Sequence, residues 1–175
     1  MNTKNLVLMS LLVGVGAVLY IIIPGINGGM KPDFMLTMMF IGILLFPEVK
    51  SVFLLGFSTG IISGLFSTFP GGFVPNIIDK TITAFVFFGL VILLNKLANK
   101  LAVAVALTCV GTLISGTVFL STAIFIFNAG AVFTELFLIV VLPAILINGI
   151  AFFIIYPIVV KLVKLIFAHF VKTQH

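Results

Sequence analysis

Long apolar runs free of charge limit this chain to few folds. From Leu6 to Ile23, and again from Leu101 to Phe127, no Asp, Glu, Lys or Arg interrupts the sequence. About 20 such residues make one helical crossing of a bilayer core. In hydrocarbon every backbone N–H and C=O must be satisfied internally, which these runs achieve as helices. Charged residues are 7% and hydrophobic ones 62%, with a mean hydropathy of +1.44, whereas soluble domains carry about 25% charged residues. The expectation is an all-α integral membrane protein forming a single membrane domain over residues 1–175. That length leaves no room for a soluble catalytic or nucleotide-binding domain beside the spans. Energy for any transport then comes from a gradient or from a partner.

Proline, glycine and lysine divide the chain into six expected spans, at about 5–23, 34–46, 51–66, 76–97, 101–127 and 133–160. The first begins after Lys4 like a signal peptide, but it is too long for one and lacks a small-x-small site before Pro24, so it reads as a retained span. Spans two and three are short; they need help from their flanks, local thinning or burial among other helices, or else form a re-entrant hairpin. Pro32 suits the first turn of span two, with Asp33 facing the positive end of the helix dipole. Gly56, Gly60 and Gly64 form a GxxxGxxxG ridge in span three, read as a helix-packing face. Ser10 with Gly14, and Gly111 with Ser115, are further small pairs. The last segment, which continues towards Phe167, carries Pro143 and Pro157, where kinks are expected.

The net charge of +5 comes from nine lysines against four acids, with no arginine. The lysines stand singly at the ends of apolar segments and form no run, so they signal topology and not nucleic-acid binding. Six crossings place Lys4, Lys50, Lys96, Lys100, Lys161, Lys164 and Lys172 on one side, against Lys31 and Lys80 on the other. The positive-inside rule makes the lysine-rich side cytoplasmic, with both termini inside. Asp33, Asp79 and Glu135 then fall on the outer side with Asn27, Asn76 and Asn128, so a substrate site opening outward is expected.

The stretch from Phe66 to Lys80 carries the candidate chemistry, because two prolines, two glycines and an Asp-Lys pair interrupt an apolar chain there. Charges within a bilayer are costly and mark pairing or function. Asn76, Lys80 and Thr83 fall on one helical stripe, and Asp79 and Thr83 are four apart. If Pro75 opens the helix, its first N–H groups favour a carboxylate. Lys80 or Lys31 can hold a substrate carboxylate, and Asp79 or Glu135 can face an ammonium; mutual neutralisation is the alternative. Phe66, Phe69 and Phe73, with Met30, Met35, Met38 and Met39, can form a pocket for a flat aromatic group or simply pack. Asn148 can hydrogen-bond between helices or point into a cavity. The candidate substrate-binding set is therefore Lys31, Asp33, Phe69, Phe73, Asn76, Asp79, Lys80, Glu135 and Asn148. No GxxxxGK[ST] or HExxH motif occurs, and Cys109 is the single cysteine. Neither an enzyme nor a metal or cofactor site is expected.

Three motifs carry a family resemblance: Met30-Lys-Pro-Asp-Phe-Met-Leu-Thr-Met-Met-Phe40, then Phe69-Pro-Gly-Gly with Val74-Pro-Asn-Ile-Ile-Asp-Lys80, and Ile154-Ile-Tyr-Pro-Ile158. Together they resemble the bacterial tryptophan transporter family, grouped with the substrate-binding S components of energy-coupling factor (ECF) transporters. The resemblance implies a six-helix S-component fold in the plasma membrane that binds tryptophan on the outer side. It also implies partners: a transmembrane coupling subunit and two cytoplasmic ATPases. S components often present an AxxxA-like face on the first helix, and the nearest match here is Ser10 with Gly14. The absence of Trp from the chain would suit synthesis during tryptophan shortage. The competing readings are a standalone carrier driven by an ion gradient and a membrane scaffold assembled through the glycine ridges.

Overall fold

A computed structural model describes residues 2–23 and 32–172, with side chains described as far as residue 166. The helices are α1 (Thr3–Ile22), α2 (Phe34–Leu45), α3 (Val49–Leu65), α4 (Phe73–Leu94), α5 (Leu101–Ser121), α6 (Phe133–Leu136) and α7 (Leu142–Lys172). A 3-10 turn, Asn95–Asn99, joins α4 to α5, and π turns extend α5 over Thr122–Ile126 and join α6 to α7 over Phe137–Val141. Among the described residues, four helical rods are long and apolar enough to cross a membrane: Thr3–Ile22, Phe73–Asn99, Leu101–Ile126 and Phe133–Ile166.

The core is built around α2. Its 12 residues span about 18 Å at 1.5 Å per residue, well short of a bilayer core. Burial among other helices compensates: every residue from Phe34 to Leu44 is buried, and α1, α3, α4, α5 and α7 all touch it. A helix apolar on all sides belongs inside a bundle. Met35, Met38 and Met39 are spent on this packing and do not line the cavity described below. Phe40 of α2 stacks on Phe87 of α4 with ring centroids 4.0 Å apart.

The α3 glycine ridge lies against α4, as a packing face should. A Cβ at Gly60 would stand 2.8 Å from the Ile77 Cα, and one at Gly56 would stand 3.1 Å from the Lys80 carbonyl oxygen. Backbone thus meets backbone, which presses α4 close along the stretch that carries Asn76, Asp79 and Lys80.

Three local features differ from the sequence expectation: the place of Pro32 and Asp33, the start of α4 and the irregularity in the last rod, while α2 starts at Phe34 as expected. Helix α2 begins at Phe34, after Pro32, and Asp33 is its N-cap, accepting the Leu36 N–H at 2.9 Å; Asp is among the best residues for that role. Helix α4 begins at Phe73, making Pro75 its third residue rather than its first. Proline is tolerated there because first-turn N–H groups have no intrahelical partner. In the last rod the irregularity sits before Pro143: the Leu142 N–H reaches back five residues to the Phe137 carbonyl. Pro143 has no N–H to offer the Ile139 carbonyl, and a π turn re-registers the ladder around the gap.

Candidate functional site

One end of the bundle encloses a cavity of about 400 Å³, within the range of about 300–1,000 Å³ usual for small-ligand sites. It collects the end of α1 (Tyr20), the start of α2 (Asp33, Leu36), the α3–α4 loop (Ser67 to Pro70) and the first turns of α4 (Asn76, Asp79, Lys80). The later turns of α5 and the α6–α7 junction close it from the other side.

Its floor is a charged cluster joining three helices, α2, α4 and α5. The Lys80 ammonium donates to Asp33 Oδ2 at 2.8 Å, Asp79 Oδ2 at 2.9 Å and Ser115 Oγ at 3.1 Å. The Ser115 hydroxyl donates onward to Asp79 Oδ2 at 2.8 Å, and Thr83 donates to Asp79 Oδ1 at 2.9 Å. Asp79 therefore receives donors on both oxygens, the pattern of an ionised carboxylate. Its side chain is 1% exposed and that of Lys80 is 4% exposed, whereas Asp33 is 28% exposed. A charge pair this deep persists only with its remaining hydrogen bonds satisfied, and the two hydroxyls provide that.

A second set of bonds fixes Asp33 from α7. Asn148 Oδ1 accepts the Asp33 backbone N–H at 2.7 Å, and its Nδ2 donates to Thr112 Oγ1 of α5 at 3.3 Å. Asn148 thus both bridges helices and lines the cavity. Asn76 donates Nδ2 to the Gly72 carbonyl at 2.7 Å; its Oδ1 has no partner among the described residues.

Above the floor the walls are apolar, with Phe119 and Leu120 on α5, and Leu136, Val140, Val141, Ala144 and Ile147 across the α6–α7 junction. The loop over the cavity is a hydrogen-bonded turn in which the Gly72 N–H donates to the Phe69 carbonyl at 2.9 Å. Pro70 and Gly71 are its central residues, and Gly71 has φ +69. Proline followed by a positive-φ glycine is a type II turn. The turn sets the Phe69 ring edge-on to Phe119, centroids 5.4 Å apart.

Of the residues singled out from sequence, Asp33, Phe69, Asn76, Asp79, Lys80 and Asn148 come together around this cavity. Phe73 does not line it; it packs beside Gly64 of α3 and is 43% exposed. Glu135 is exposed on α6 and is also absent from the lining, although Leu136 beside it contributes. Lys31 and Met30 lie outside the described residues. Sequence reasoning missed Tyr20, Thr112 and Phe119. The signal for two of them was present: Thr112, Ser115 and Phe119 fall at i, i+3 and i+7 along α5, so they share one helical face.

The sequence is similar to those of known proteins. The family model described as "Tryptophan transporter TrpP" matches residues 2–164. A "Probable tryptophan transport protein" of Bacillus subtilis is 52% identical over 94% of this chain and 95% of its own length. Proteins of the same description from Clostridium acetobutylicum and Clostridium perfringens are 44% and 36% identical, over 95% and 91% of this chain and 98% and 93% of their own lengths. No solved structure matches.

Proposed function

The chain belongs to the tryptophan transporter family, and from that premise we propose that it is the substrate-binding membrane subunit for tryptophan uptake. It is a multi-pass protein of the bacterial plasma membrane. The observation that carries the reading is the combination of an apolar wall with a charged floor in one cavity of about 400 Å³. An aromatic amino acid divides in the same way, into a flat apolar body and a polar end. Asp33, Asn76, Asp79, Lys80 and Asn148 form the polar end of the site, and Phe69 closes over the aromatic part.

The site opens outward. Its end of the bundle holds Asp33, Asp79 and Lys80, while Lys4, Lys50, Lys96 and Lys100 lie towards the opposite end. Under the positive-inside rule that lysine-rich end is cytoplasmic, with six crossings and both termini inside. The chain has no phosphate-binding loop, so ATP hydrolysis belongs to two cytoplasmic ATPases, joined through a transmembrane coupling subunit as in ECF transporters.

Calorimetry on the purified, folded protein against tryptophan, phenylalanine and riboflavin tests this. Saturable tryptophan binding, tighter than phenylalanine and with no riboflavin binding, is the expected outcome. A folded sample that leaves tryptophan unbound overturns the reading. Uptake by the chain alone in liposomes under an imposed proton or sodium gradient would instead support an ion-driven carrier.

A further inference from the structure

Resting on the reading of this cavity as a tryptophan site, we propose that the ligand is held by its ammonium group on Asp33, and that Lys80 is a structural cation that does not receive the ligand carboxylate.

Two carboxylates meet one ammonium in the floor. Each carboxylate oxygen of Asp33 and Asp79 accepts from a donor: Leu36 N–H and Lys80 on Asp33, Thr83, Lys80 and Ser115 on Asp79. With both acids ionised, the described residues of the cluster carry one negative charge in excess. Lys80 has three N–H donors, and all three are taken, by Asp33, Asp79 and Ser115. A ligand carboxylate would have to displace one of these bonds in a buried setting and would add a third negative charge.

Asp33 is the member of the cluster that can accept more. A carboxylate offers about four acceptor sites, and Asp33 uses two among the described residues. Its side chain is the exposed one of the three, at 28%, and it lines the cavity. A second acceptor is available on a lining residue: Asn76, 8% exposed overall, gives one of its two amide N–H donors to Gly72 and retains Oδ1 without a partner among the described residues. Acceptors with unused capacity at the cavity suit a ligand that brings N–H groups, as an α-ammonium does. Among the described residues no cation other than Lys80 lines the cavity.

The test compares three indole compounds on the full-length wild-type protein in detergent: tryptophan, tryptamine (ammonium without carboxylate) and indole-3-propionate (carboxylate without ammonium). Tryptamine is expected to bind within about tenfold of tryptophan, and indole-3-propionate to be weaker by roughly a hundredfold, since a site built around a charged partner rejects the analogue lacking it. Asp33→Asn keeps a good helix cap and leaves Lys80 paired with Asp79. It should weaken tryptophan and tryptamine by roughly a hundredfold without weakening indole-3-propionate. Indole-3-propionate binding as tightly as tryptamine, or tighter, overturns the inference while the tryptophan reading stands. Failure of tryptophan itself to bind overturns that reading, and the inference with it. The wild-type series decides the question even where the variant fails to fold.

Discussion

Lys80 shows how a single buried charge organises its surroundings. With Asp33, Asp79 and Ser115 around it at 2.8 to 3.1 Å, it offsets one of the two charges that two carboxylates alone would place side by side. Removing one partner of a buried pair costs about 3–5 kcal/mol, because the remaining charge is left uncompensated. Lys80→Met leaves two carboxylates facing each other, whereas Asp33→Asn leaves the Lys80–Asp79 pair intact. Thermal unfolding in detergent should therefore show Lys80→Met as the more destabilised of the two, by about 2 kcal/mol or more. Equal stabilities would mean that the cluster is not the keystone described. The Asp79-Lys80 pair was legible in the sequence as an anomaly in an apolar run. Its third member was not predictable as a partner, because Asp33 lies 47 positions from Lys80 and only the packing of α2 beside α4 joins them.

At the scale of elements, small residues decide how closely the charged stretch of α4 is held. The glycines of α3 were readable as a packing ridge from their spacing alone, since four-residue intervals stay on one helical face. A side chain at Gly60 has no room beside the Ile77 Cα. Gly60→Val should lower stability by about 1–3 kcal/mol through overpacking and weaken tryptophan binding as α4 shifts. Gly14→Ala is the control: no atom lies within 4 Å of its added Cβ, so its effect on stability should stay within about 0.5 kcal/mol. A melting curve for each variant checks both. The buried role of α2 was one of several options open from sequence, because a 12-residue apolar helix is compatible with a membrane flank or a bundle interior. Periodicity cannot distinguish these when every face is apolar. Helix α4 starts earlier than its proline suggested, because Gly72 can serve as the cap and Pro75 is tolerated within the first turn.

For the whole molecule, function follows from the separation of two ends. One gathers acids, amides and the Phe69 turn around a cavity, and the other gathers solitary lysines at helix termini. The long apolar runs foretold the all-helical membrane fold. The cavity walls were not legible: Val140, Val141, Ala144 and Ile147 look like any lipid-facing residues until the π turn at Phe137–Val141 sets them beside α5. The central claim is that tryptophan occupies this cavity, and the chain offers a direct readout because it contains no Trp of its own. Indole fluorescence of added tryptophan can then be followed without protein background. A saturable blue shift is expected as the indole leaves water for the apolar wall, abolished by Ala144→Phe, which fills the cavity. No shift with the folded wild-type protein, or an undiminished shift with the filled cavity, would contradict it.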